Sequence, residues 1–380
     1  MKFKNLEKTK YFPDVINART ITKAGIGGYY PIFATYRGND LWILARPMDV
    51  TIVSLSKDGG ITWQEIWEKG PTNIGWGIIT QNPNENECVL LQASQGVIKK
   101  STDLANKLQT GWQDVLTLNG GYISASFGWD LQDNNIFLST YGTHNVANPP
   151  RWAYRSKDYG STWNIIFEKQ IIDMAEPAFF HIHDISYDPW TSRIWIITGD
   201  TKNAQVYYSD NNGAKWNEVY EVGKIQQFTT VIPLHDRVIF GSDSYPNGVS
   251  VLLKSAPEKE QEVKASDILP VYTANKFSEN FRGNYAIKPN IDRNVYAKQY
   301  PYLLIMPFTG GTTNEHPIRI LASPDGEFWF EIFREDYIGA FGGAISYCVG
   351  PLNGKIYSRI ISVGHNHLWE TDMPNWIEVK

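Results

Sequence analysis

The chain has 380 residues, a formal net charge of −5, 42% hydrophobic residues and 14% aromatic ones. Acidic and basic residues are interspersed, which argues against a nucleic-acid surface or a polybasic membrane patch. No apolar run approaches the roughly 20 residues of a membrane span, and the two cysteines, Cys88 and Cys348, stand far apart in apolar runs, which reads as buried thiols and excludes zinc ligation by cysteine.

The chain begins MKFKNLEKTKYFPDV, charged and with no apolar segment behind it, so it is not a secretory signal as written. The expected location is the cytoplasm or a virus particle, or outside the cell if a leader has been removed. Residues 1–27 are expected to pack on the following domain or on a partner, and residues 28–380 to form one domain. YYPIFATYR, DLWILAR, VTIVSLS and TWQEIWE follow as four short strands rich in Tyr, Trp, Ile and Val. The third leads into SKDGGITW at Ser56, and the fourth leaves it. The phrase returns at Ser156 (SKDYGSTW), Ser209 (SDNNGAKW) and, shortened, Ser323 (SPDGEFW). Fainter marks stand at Ser101, Lys254-Ser255 and Thr371, and the stretch 256–268 reads as an exposed hairpin in place of a decayed phrase.

Asp accepts hydrogen bonds from nearby backbone N–H groups and Gly takes positive φ cheaply, so the phrase reads as a turn. The tryptophan is expected to start the next strand and to drop its ring between neighbouring sheets. Marks spaced roughly 45 to 70 residues apart belong to propellers, where one blade is a four-stranded sheet. The expected fold is all-β: a seven-bladed β-propeller of four-stranded antiparallel blades, with six blades as the alternative. Blades are expected to begin near Gly28, Trp76, Gly121, Phe180, Phe228, Asn284 and Phe341.

These phrases resemble the Asp-boxes, or BNR repeats, of the sialidase superfamily. The segment YYPIFATYRGNDLWILARPMD is similar to the opening of sialidases. Pro31 matches the motif proline, Arg46 falls where the family's second arginine stands, and Asp49 lies near the place of its acid/base aspartate. Tyr29 stands where the carboxylate-binding arginine would be, and tyrosine offers neither its charge nor its fork. The resemblance implies a propeller, and a glycan as ligand or substrate.

In such a fold the loops from strand 4 to the next strand 1, and those from strand 2 to strand 3, share one face. Those loops supply the site candidates. Arg46, Tyr141, Arg151, Asp200, Tyr245 and Arg282 are the expected ligand-binding residues, and Asp49, His144, His181 and Glu176 the expected catalytic ones. Arg46 and Asp49 can equally pair with each other across a loop. His181 and His183 alternate along a strand, so both rings face one side; they bind a metal or make structural hydrogen bonds, and no cofactor is expected. His365 and His367 read as a structural turn. Trp76, Tyr122, Trp129 and Tyr141 serve either sugar stacking or packing between blades.

Three functions fit. The first is recognition of a cell-surface or extracellular polysaccharide, as a virus tail or adhesion component with other virion or surface subunits as partners. The second is an enzyme. As a glycoside hydrolase it would use Asp49 with Glu176. As a polysaccharide lyase it would use His144 or His181 as base, with Tyr141 as acid and Arg46 neutralising the carboxylate. The third is a scaffold without a ligand.

Overall fold

The structure is a computed structural model. It describes residues 19–21, residues 29–273 with interruptions at loops, and strands within residues 304–372. The described strands form seven antiparallel sheets, six of four strands and one of three. The first sheet is Tyr29–Arg37, Asp40–Pro47, Val53–Ser56 and Gln64–Trp67, in chain order from one edge to the other. The fourth is His181–Asp188, Arg193–Gly199, Gln205–Ser209 and Asn217–Glu218. The first strands of the first and second, third and fourth, fourth and fifth, and sixth and seventh sheets touch, and the first strand of the first sheet also meets that of the seventh. Sheets whose inner strands meet around an axis make a β-propeller. The third sheet begins at Trp129, some residues after the position expected from Gly121. The expected start of the sixth, near Asn284, lies outside the described residues.

Arg19–Ile21 pairs antiparallel with His365–Asp372, so a strand near the chain's beginning becomes the outer strand of the seventh sheet. His365 and His367 belong to that strand rather than to a turn: they pair with Ser362 and Ile360.

The apolar core lies between sheets rather than at one centre. Phe137, Phe167, Ile185, Ile196 and Tyr207 fill the seam between the third and fourth sheets. Trp195, Val206, Phe228, Val231 and Phe240 fill the next seam.

The repeated phrase folds as a turn held by its own side chains. The Ser56 hydroxyl donates to Asp58 Oδ1 at 2.7 Å and accepts the Gly60 amide at 2.8 Å. Asp58 accepts the Thr62 amide at 2.9 Å and the Thr62 hydroxyl at 2.6 Å. Ser156, Asp158, Gly160 and Thr162 repeat this pattern. Gly60, Gly160 and Gly213 sit at φ of 95°, 84° and 90°, which side-chain-bearing residues rarely adopt. In the third copy Asn211 replaces the aspartate and accepts the Lys215 amide at 2.8 Å.

The tryptophans divide into two kinds. Trp216 donates to the Ile166 carbonyl of the preceding sheet at 2.8 Å and meets Phe167 edge-on at 5.0 Å. Trp112, after the faint mark at Ser101, does the same with the Ile66 carbonyl and Trp67. These rings lie between sheets, as expected. Trp63 and Trp163 are half-buried and donate instead to Gly60 and Gly160 of their own turns, while the Trp163 ring still packs against the core that the first three sheets share.

The titration of these turns has a built-in control. The Thr62 hydroxyl, then the Thr62 amide and the Ser56 hydroxyl, hold the Asp58 carboxyl down at about 2 from its ordinary 3.8. Burial pushes Asp158 up, but the Thr162 and Ser156 hydrogen bonds together outweigh it and its pKa is lowered. A pKa lowered on folding gives stability that is complete above the unfolded value and fades as pH falls towards the folded one. Protection of the Thr62 amide from hydrogen exchange should therefore fall between about pH 4 and about pH 2, and that of the Thr162 amide should fall on acidification as well. Lys215, held by an uncharged Asn211, should keep its protection until the whole protein unfolds. Parallel loss at all three amides would contradict this.

Candidate functional site

The fourth sheet brings two imidazoles together at the start of its first strand. A bulge at His183, between the pairs Ile182–Thr198 and Asp184–Ile197, sets the strand's register there. His181 is 1% exposed and His183 3%. Their Nε2 atoms lie 2.6 Å apart, and His183 Nδ1 lies 2.7 Å from the Phe228 carbonyl of the fifth sheet. A carbonyl only accepts, so His183 Nδ1 carries a proton. In the neutral pair His183 Nε2 is then the acceptor and His181 Nε2 the donor.

This geometry is a hydrogen-bonded pair rather than a metal clamp. Two nitrogens ligating one ion at about 2.0–2.1 Å each stand about 3 Å or more apart in tetrahedral geometry. Among the described residues no group of three His, Cys, Asp or Glu side chains is placed to hold a metal.

Tyr141 closes the site from the third sheet. It follows that sheet's second strand, Asn135–Ser139, and so comes from a strand 2 to strand 3 loop. The Ile182 amide donates to the Thr140 carbonyl at 3.4 Å, and the Thr140 hydroxyl donates to the Trp152 carbonyl at 3.1 Å. Docked this way, the half-buried Tyr141 ring lies 4.4 Å from the His181 ring and 6.4 Å from the His183 ring. Gly199 stands opposite His181 in the ladder. A Cβ there would come within 2.2 Å of His183 Cε1, so the glycine makes the space that the imidazole fills.

Beneath the pair sits Asp184, a fully buried carboxylate that joins three sheets. Oδ1 accepts the Gly128 amide of the third sheet at 3.3 Å and the Ile185 amide at 2.8 Å. Oδ2 accepts the Thr230 hydroxyl at 3.0 Å and the Val231 amide at 2.9 Å, both from the fifth sheet. Asp130 makes a similar bridge, accepting the Tyr187 amide at 2.7 Å.

The structure thus gathers Tyr141, His181 and His183 from the sequence candidates. Arg151 is elsewhere engaged: it bonds Glu168 at 3.2 Å and its guanidinium lies 5.0 Å from the Trp152 ring. Arg46 is half-buried on the second strand of the first sheet, opposite Tyr30. Asp49, His144, Glu176, Asp200, Tyr245 and Arg282 lie outside the described residues, as does Tyr122. Trp76 and Trp129 are core residues, 2% and 3% exposed, which answers the choice between rim and packing for both. Sequence reasoning passed over Gly199 and Asp184. An aspartate in the middle of an otherwise apolar strand, HIHDIS, was the available signal.

No family model matches the chain, and no curated protein matches it. Solved structures do. A structure of YCF48 bound to D1 peptide is 12% identical, with a TM-score of 0.50 over 96% of this chain and 98% of that one. YCF48 from Cyanidioschyzon merolae is 12% identical, with a TM-score of 0.52 over 90% of this chain and 94% of that one. The Cps50 (Swd1) β-propeller domain of Myceliophteria thermophila is 10% identical, with a TM-score of 0.54 over 94% of this chain and 99% of that one. At such identities the likeness concerns the fold alone, and the fold is a β-propeller.

Proposed function

We propose that the protein is a binding propeller that recognises a glycan at the loop face around Tyr141. The observation that carries this reading is the half-buried Tyr141 ring resting on His181 at 4.4 Å. An aromatic ring with polar groups beside it can stack on the apolar face of a sugar while the neighbouring loops take its hydroxyls. Both imidazoles are buried and hydrogen-bonded to each other, which suits a fixed platform better than a base open to substrate. The resemblance of the repeated phrase to Asp-boxes supports the same ligand class. Attachment to a cell-surface polysaccharide, as an adhesion or virus-tail component, is the role this reading implies.

A glycan array followed by product analysis tests it. The expected result is a glycan hit with no new reducing or unsaturated ends, and at least about tenfold weaker binding in Tyr141→Ala, the loss of roughly one stacking contact. New chain ends would turn the reading into a hydrolase or a lyase. The YCF48 structure holds a peptide, so a peptide array belongs in the same experiment. Capture of peptides with no glycan hit would overturn glycan recognition.

A further inference from the structure

A cleft of about 600 Å³ opens at the perimeter between the outer strand of the third sheet and the third and fourth strands of the fourth. Phe167 and Trp216 form its apolar wall, and Lys169, Tyr207 and Glu218 its polar one. Lys169 is only 5% exposed. Its ammonium lies 4.0 Å from Glu218 and 4.5 Å from the centre of the Tyr207 ring, and no described residue hydrogen-bonds it. Tyr207 is 3% exposed, and its hydroxyl is buried without a hydrogen-bond partner among the described residues. Burial lowers the Lys169 pKa, and Glu218 opposes this in part.

A buried ammonium and a buried hydroxyl that lack hydrogen bonds are costly, and a ligand that accepts from both recovers that cost. A carboxylate is an acceptor on both oxygens and takes an ammonium and a hydroxyl together. Beside them stands the half-buried indole of Trp216, its N–H already spent on Ile166, which fixes the ring as a stacking surface. Glu168 at the rim is neutralised by Arg151 and offers an acceptor to sugar hydroxyls. Glu218 is half-exposed and reaches Lys169 only at the limit of an ion pair, so an incoming carboxylate can replace it.

We propose that this cleft binds the uronate unit of an acidic oligosaccharide, its carboxylate between Lys169 and Tyr207 and its ring against Trp216. The proposal does not rest on the Tyr141 site. Titration calorimetry of the full chain with oligogalacturonate tests it, with neutral oligogalactose, acetate and a short free-carboxylate peptide as comparators.

Oligogalacturonate should bind and oligogalactose should not. Lys169→Gln should weaken binding at least about tenfold, the order of a lost charge-assisted hydrogen bond. Tyr207→Phe should weaken it severalfold, and Glu218→Gln, which removes the competing charge, should strengthen it. In a Tyr141→Ala background the Lys169-dependent part of the binding should persist, which separates this cleft from the loop face. No binding, an unchanged Kd in both Lys169→Gln and Tyr207→Phe, or equal binding of acetate or the peptide would overturn the proposal. Thermal melts accompany each variant. Tyr207→Phe preserves the packing and carries the test if Lys169→Gln unfolds.

Discussion

Asp184→Ala should cost the protein about 4 kcal/mol or more of stability, on the scale for breaking a buried charged network. The carboxylate is fully buried and accepts three backbone amides and one hydroxyl at 2.8 to 3.3 Å. Alanine strands all four donors in an interior that water does not reach. Two of them, the Thr230 hydroxyl and the Val231 amide, belong to the fifth sheet, and the Gly128 amide to the third. The loss therefore loosens two seams at once. Asp184→Asn should recover little: an amide has one acceptor oxygen, and its NH₂ would face donors on one side. Chemical denaturation of the two variants checks this. If Asp184→Asn is as stable as the parent, the carboxylate is not what joins these sheets.

The fold was legible because it repeats. A turn built from Ser, Asp and Gly is stabilised by local hydrogen bonds, so its residues must be adjacent in sequence and the pattern can be read from one chain. The strands of the first and fourth sheets were readable for the same reason. What the phrase could not reveal was the destination of each indole. Trp63 and Trp216 occupy the same place in the phrase, yet one bonds its own turn and the other the preceding sheet. That choice depends on what the neighbouring sheet presents, a contact some 50 residues away in sequence.

The site was legible only in part, for a related reason. The alternation of His181 and His183 placed both rings on one side, and the loop logic pointed to Tyr141. The bond between the imidazoles and the anchor at Phe228 arise from a bulge and a neighbouring sheet, neither of which the local pattern encodes. Arg151 looked like a ligand-face residue because it ends a long loop. Its charge is answered across its own ladder by Glu168. Pairing of this kind is decided by strand register, and register is set by long-range packing.

Gly199→Ala should destabilise the protein by about 2–3 kcal/mol, at the upper end for overpacking a filled interior. Ordinarily a glycine in a strand gains stability on replacement, because the unfolded chain loses freedom. Here the added methyl would stand 2.2 Å from His183 Cε1 and 2.6 Å from its Nε2. The ring has little room to retreat, since Nδ1 is held by the Phe228 carbonyl and Nε2 by His181. Either those bonds break or the backbone moves, and both outcomes shift Tyr141, which rests on the pair. Glycan binding at the loop face should then fall together with stability. The decisive measurement is a double-mutant cycle. In a His183→Ala background the space is empty, so Gly199→Ala should cost little there or even stabilise. A penalty of equal size in both backgrounds would mean that the glycine answers to something other than the imidazole.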